Sequence, residues 1–343
     1  MKIDYSLIGH TSRNALVDAQ RAESWGFDGV WATESVTDAF LQSMAVALST
    51  ERVDIGTAIA VAFARNPMTT AYCAWDIASA SGGRFTLGMG TQIQAHITKR
   101  FSMPWSSPAA RMEDYIKALR AIFESWRTGS RLRYEGEHYR HTLMTPVFTP
   151  PHHDHPIPIA IAAVGEVMTA LAGRLCDGVI LHGMTNPEYL DTVTLPALEK
   201  GLAESGRSRA AFTVSLPLFF AMGDTEEQIV AQREESRKQL AFYASTPAYR
   251  GVLEAIGYGD LQTQLHSMSK TGEWDKMATA IDDTLLDAMV LTGAPEEIPA
   301  LVYKRFGNRF DRVSSYYGWT IDDPERMADI VKKFHSYSTT SSH

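Results

Sequence analysis

The chain has 343 residues, 45% of them hydrophobic and 21% charged, with a formal net charge of −8. That composition suits a globular protein with a large core and excludes a collagen-like or low-complexity chain. No Lys/Arg run offers a nucleic-acid footprint, no apolar run approaches the roughly 18–20 residues of a bilayer span, and the opening MKIDYSLIGH lacks the basic start and apolar run of a secretory signal. Neither a nucleic-acid partner nor a membrane span is therefore expected, and the cytoplasm is the default location. The two cysteines, Cys73 and Cys176, lie far apart in apolar surroundings and read as reduced thiols.

In chain order, short apolar runs alternate with amphipathic stretches. Ile3–Leu7 reads as a strand, and Ser12 or Asn14 is a candidate cap for a helix running to Trp25, which Gly26 stops. Asp28–Thr33 is a second strand, followed by a helix through Leu41, Met44 and Leu48, and Val53–Val61 is a third strand without polar alternation. Continuous apolar strands separated by helices mark a parallel sheet buried on both faces. Pro67 suits the first turn of the next helix, and Arg84–Gly90 is strand four. After the long segment Thr91–Ser107, the apolar positions from Met112 to Trp126 keep helical spacing, and Arg131–His141, with Gly136 inside it, reads as a hairpin insertion.

Ile157–Ala163 is strand five, a helix starts near Gly165, and Gly178–His182 is strand six. Pro196 is expected to cost the sixth helix one backbone hydrogen bond and to kink it. Phe212–Ala221 is strand seven. Residues from about 225 to 281 read as a helical insertion near the mouth, a candidate lid. Gly293–Glu297 then opens another helix, Arg312–Tyr317 is the eighth strand, and Pro324–Phe334 a last helix. Eight strands in this alternation favour a closed (β/α)8 barrel, a TIM barrel, over an open sheet. It spans residues 1–335 as one domain with insertions at its C-terminal mouth, and residues 336–343 form a disordered polar tail.

In such a barrel the strand C-termini carry the chemistry. Gly90 and Thr91 stand at the exit of strand four, where glycine permits close approach of a ligand, or simply a tight exit. The backbone N–H groups from Gly165 to Met168 open a helix and suit a phosphate, or are an ordinary helix entry. Glu34 ends a buried strand as either a cofactor contact or a structural salt bridge, and His10, His96 and His182 fall near the mouth as candidates to handle a proton. The run His152-His153-Asp154-His155 lies among prolines with no second ligand set, so no metal site is expected. No Gly-x-Gly-x-x-Gly fingerprint, Walker lysine or serine-hydrolase elbow is present.

Four ordered blocks, AESWGFDGVWATES at 22–35, GTAIAVAFARNPMTTA at 56–71, GGRFTLGMGTQ at 82–92 and PIAIAAVGEVMTALAGRLCDGVI at 158–180, carry a resemblance across nearly the whole chain. They resemble the luciferase-like monooxygenase superfamily, and within it the branch of coenzyme F420-dependent oxidoreductases. The resemblance implies a deazaflavin at the barrel mouth and a strand-three bulge with a non-prolyl cis peptide backing the ring, placed here at Ala58–Ile59. It implies that Ala163, Val164, Gly165 and Glu166 meet the cofactor phosphate, that Gly90 and Thr91 lie along its side chain, and that Glu34 contacts the ring. Three departures stand out: Ser35 where relatives often carry histidine, Gln92-Ile93-Gln94 where sugar-phosphate dehydrogenases carry a glutamate, and Val164-Gly165 in place of Gly-Gly. They argue against glucose 6-phosphate as substrate.

The expected function is hydride transfer between C5 of F420 and a small organic substrate, with His96, then Glu34, then His10 as candidates for the proton. The alternative is an FMN-dependent monooxygenase using reduced flavin from a partner reductase and O2; a third reading is a non-catalytic F420-binding barrel. A homodimer, and a flavin or F420 reductase as partner, are further expectations of the resemblance.

Overall fold

The computed structural model describes residues 1–337. Eight strands form its wall: β1 (Lys2–Leu7), β2 (Gly29–Ala32), β3 (Asp54–Thr57), β4 (Phe85–Gly90), β5 (Ile159–Ala162), β6 (Gly178–Ile180), β7 (Thr213–Met222) and β8 (Arg312–Ser315). Neighbours pair in parallel around the ring, and β7 pairs with both β6 and β8, which closes it. A helix or helical insertion links each strand to the next, giving the closed α/β TIM barrel expected from the alternation.

The helices are α1 (Ser12–Trp25), α2 (Ala39–Ser49), α3 (Pro67–Ala80), α4 (Pro108–Thr128), α5 (Glu166–Leu175) and α6 (Leu195–Ser205), then α7 (Glu226–Ala244) and α8 (Gly259–Thr271) of the insertion, then α9 (Ile298–Phe306) and α10 (Pro324–Ser336). Their apolar faces pack on the outward residues of the strands, so that Ile3, Leu7, Ile55, Leu87, Ile159 and Val214 are fully buried in one main core. The cap of α1 is Thr11, whose hydroxyl accepts from Asn14 N–H, not Ser12 or Asn14. Gly26, at φ +89°, ends that helix as its sequence position predicts.

Strand three is not the continuous run 53–61. It breaks after Thr57, resumes as the short segment Ala60–Val61, and has a cis peptide at Ala58–Ile59. Gly56 pairs with Thr86 and Ala60 with Met89, so four steps on one strand face three on the other. That is a bulge. The Thr57 hydroxyl bridges the break, donating to Gly88 C=O at 2.6 Å and accepting from Gly88 N–H at 3.0 Å.

Pro196 lies inside a helical run that is unbroken from Pro187 to Ser205, and the run widens to a π-helical turn directly before the proline, where an α-helical bond is missing. The π-helical turn is Leu190–Thr194, and α6 continues from it. The insertion runs on to a helix at Asp283–Met289 and returns as a strand, Val290–Gly293, that pairs with the upper half of β7. The following helix begins only at Ile298. The insertion has a core of its own, in which Leu240, Val252, Leu265 and Leu285 gather around Phe219 of β7. The hairpin is present as Tyr134–Glu135 against Arg140–His141, tied down by the buried carboxylate of Asp114. Helix α10 extends to Ser336, and Tyr337 stacks on Tyr303 at 5.0 Å, so these two residues of the predicted tail are structured; the remainder of that tail lies outside the described residues. No helix among the described residues is long and apolar enough to cross a membrane.

Candidate functional site

The mouth has two unlike halves. On one side the strand-three bulge lies beside the ends of β2, β4 and β5. Trp31, Ala160 and Ile180 fill the barrel beneath it, with Ala58 and Ile59 packed on them. The end of β2 holds Ala58 by both backbone groups: its N–H donates to Ala32 C=O at 2.7 Å, and its C=O accepts from the Thr33 hydroxyl at 3.1 Å. A Cβ on Gly90 would fall 2.8 Å from Ile59 Cδ1, so glycine here lets the Ile59 side chain lie against β4.

Glu34 is bound up with this bulge. One of its oxygens accepts from Val61 N–H at 2.7 Å and from Arg65 Nη1 at 2.7 Å; the other accepts from Arg65 Nη2 at 2.7 Å. Its side chain is 7% exposed, and Arg65 is further held by Asp38 at 2.5 Å. Both oxygens of this nearly dry carboxylate are thus occupied by donors, in a bidentate pair with the guanidinium. The salt bridge expected as one of the two readings of Glu34 is present. It positions the bulge.

His96 sits exposed on a π-helical turn, His96–Arg100, beyond β4. The His10 ring is turned toward α1, with Nδ1 3.0 Å from Asp18 Oδ2. The turn that carries His96 is tied to the loop after Glu34, where Arg100 Nη2 donates to Ser35 C=O at 2.6 Å, and that loop is tied to His10, whose C=O accepts from the Thr37 hydroxyl at 2.9 Å. The Thr91 hydroxyl donates to Gln92 C=O at 3.0 Å, in a loop where Gln92 takes φ +59°.

At the start of α5, Ala163 is buried, Val164 half-buried, and Gly165 and Glu166 exposed. Gly165 caps α5 with extended backbone, no side chain caps the helix, and a Cβ on Gly165 would meet nothing within 4 Å. The first amides of α5 are thus uncovered, and uncapped helix N–H groups favour an anion. The Val164 carbonyl is taken by the Tyr189 hydroxyl at 3.2 Å. An apolar floor and a bare helix N-terminus fit a flat ring with a phosphate-bearing chain.

The other half of the mouth is aromatic. His182, just past β6, accepts from Met184 N–H through Nδ1 at 3.0 Å, and its Nε2 lies 3.2 Å from Tyr316 Oη, just past β8. Tyr316 Oη is hydrogen-bonded in turn to Tyr243 Oη, at the end of α7. Tyr249 stands 5.0 Å from the His182 ring, and Phe219 4.6 Å from Tyr316. Gly183 permits this packing, since a Cβ there would approach Pro217 C=O at 2.9 Å. Burial pushes the His182 pKa down to about 4, so its imidazole is neutral. The sequence marks His182 and Tyr316 as mouth positions but not their pairing. Tyr243 and Tyr249 escape it, because the insertion has no strand end to point at them. Within the run 152–155, His153 packs 4.0 Å from the Trp75 ring while His152, Asp154 and His155 are exposed, and no trio of His, Cys, Asp or Glu among the described residues is placed to hold a metal.

Known proteins share this architecture. An uncharacterised protein of Mycobacterium tuberculosis (strain ATCC 25618 / H37Rv) is 48% identical over 315 residues, covering 91% of this chain and 92% of that protein. The 5,10-methylenetetrahydromethanopterin reductase of Archaeoglobus fulgidus is 28% identical over 285 residues, 81% of each chain. Among solved structures, the coenzyme F420 dependent tetrahydromethanopterin reductase from Methanopyrus kandleri superposes with a TM-score of 0.78 at 20% identity, over 96% of both chains. The profile of one family matches residues 6–309, from within β1 to the approach to β8, so the barrel and its bulged mouth place this chain in the luciferase-like monooxygenase family.

Proposed function

We propose that the chain is an F420-dependent oxidoreductase that moves a hydride between C5 of the deazaflavin and a small organic substrate. The observation that carries this reading is the pairing of an apolar floor, at Ala58, Ile59 and Gly90, with the bare N-terminus of α5. When bound, F420 supplies the hydride chemistry. The protein's share is positioning. Glu34 and Arg65 fix the bulge on which the ring would rest, the amides from Val164 to Glu166 receive the phosphate, and Thr91 lines the chain of the cofactor. The F420 dependence of the structurally similar reductase supports this choice of cofactor over FMN.

Titration of the purified chain with F420 and with FMN, followed by fluorescence and absorbance, tests the reading. Micromolar binding of F420 is expected. FMN binding without F420 binding would overturn it and favour the monooxygenase alternative, which O2 uptake with reduced FMN would then establish. The exposed apolar side chains of Val17, Leu41 and Leu48 on α1 and α2 support a homodimer, which sedimentation would reveal.

A further inference from the structure

The His182, Tyr316 and Tyr243 chain has one more donor than it has acceptors. Met184 N–H occupies His182 Nδ1, so the proton of the neutral imidazole is on Nε2 and points to Tyr316 Oη. Between the two phenols a single O–H···O bond forms. If Tyr316 donates to Tyr243, the Tyr243 O–H is left over; if Tyr243 donates, the Tyr316 O–H is. Either way one phenol proton has no acceptor among the described residues. The hydroxyl of Tyr249, whose ring lies 5.0 Å from His182, likewise has no hydrogen-bond partner among the described residues.

Two spare O–H donors thus belong to one cluster of rings where β6, β7 and β8 meet the insertion, with Phe219 packed against it. Among the described residues, no lysine or arginine is hydrogen-bonded to His182, Tyr316, Tyr243 or Tyr249, whose side-chain bonds run only to one another and to Met184 N–H. A carboxylate or phosphate seated here would lose its hydration with no cation to replace it. A neutral oxygen would lose little and gain the spare donors. His182 is no proton source, since giving up its Nε2 proton would leave an imidazolate. It acts as a positioning residue, holding Tyr316.

We propose that this cluster is the substrate subsite of the mouth, and that it takes an uncharged oxygen: a ketone or aldehyde carbonyl, or the matching alcohol hydroxyl. That it serves the reacting site rests on the F420 reading above. Saturation-transfer NMR of the full chain with cyclohexanone, cyclohexanol, cyclohexanecarboxylate and cyclohexyl phosphate tests it, with F420 affinity measured separately by fluorescence. Cyclohexanone and cyclohexanol should bind at least about tenfold more tightly than the two anions. Tyr243→Phe/Tyr316→Phe should lose about tenfold in cyclohexanone affinity and keep its F420 affinity, while Tyr243→Phe alone, which leaves the Tyr316 O–H, loses less. Tyr249→Phe removes a hydroxyl that no protein group uses, so it keeps the fold if the double variant does not, and should lose about threefold.

Equal or tighter binding of the anions overturns the proposal, as does unchanged cyclohexanone binding in the double variant or, where that does not fold, in Tyr249→Phe. Ketone preference without F420 binding would support the subsite and sink the cofactor reading; F420 binding without ketone preference would do the reverse.

Discussion

His182 sits half-buried among aromatic rings in the barrel mouth, and the charged imidazolium is the form that burial penalises. The folded state keeps the ring neutral down to about pH 4, whereas the unfolded chain takes up a proton near the ordinary value of 6.5. Between those values the unfolded state binds more protons, so stability is fully present above pH 6.5 and is lost as pH falls toward 4. The full loss amounts to about 3 kcal/mol. Urea unfolding of the wild type and of His182→Gln isolates it, because the other titrations cancel in the difference. The wild-type advantage should shrink by most of that amount between about pH 7 and pH 4; a difference that stays constant with pH would show the ring to be charged or hydrated. Residue identity alone is a poor guide to such roles. Glu34, Gly90 and Gly165 are legible in the sequence as mouth residues because strand ends locate them. That Glu34 is consumed by Arg65, and that His182 rather than His96 faces two tyrosines, depends on partners distant in the chain.

At the scale of elements, the bulge of β3 shows what an apolar run conceals. VDIGTAIAV reads as one strand because every position is compatible with burial, yet its pairing slips by a residue against β4. Hydrophobic pattern fixes which face is inward but says nothing about a register change that side chains beyond the strand enforce. The strand Val290–Gly293 was equally invisible: its four residues pair only with the top of β7, and the Gly-Ala-Pro that follows reads as a helix entry. The bulge makes a specific demand on Gly90. In Gly90→Ala the new methyl would meet Ile59 Cδ1 at 2.8 Å and Cγ1 at 2.9 Å, so the isoleucine must swing off the floor. Overpacking of this kind costs about 1–3 kcal/mol. Since the offending atom is the tip of Ile59, adding Ile59→Val should recover part of the loss. Thermal unfolding of the two single variants and the double would expose that coupling. If the double is no more stable than Gly90→Ala, the two side chains do not compete for the space and the floor is built otherwise.

For the molecule as a whole, β7 is the joint. Its lower half closes the barrel between β6 and β8, and its upper half pairs with Val290–Gly293 and carries Phe219 into the core of the insertion. The aromatic subsite therefore belongs half to the barrel, through His182 and Tyr316, and half to the insertion, through Tyr243 and Tyr249. Separate cores joined along one strand open separately when the smaller has fewer buried contacts to lose. Leu265, fully buried on α8 and remote from the barrel wall, reports on this. Leu265→Ala should cost about 2–5 kcal/mol. If the insertion is its own cooperative unit, hydrogen exchange will show that loss in the amides of α7 and α8 while β1 to β4 keep their protection. Equal loss in both regions would mean that barrel and insertion unfold together. In the first case substrate gains access by loosening of the insertion, because Tyr243 and Tyr249 leave with it while His182 and the bulge stay in place; in the second the mouth is rigid, and substrate enters between its two fixed halves.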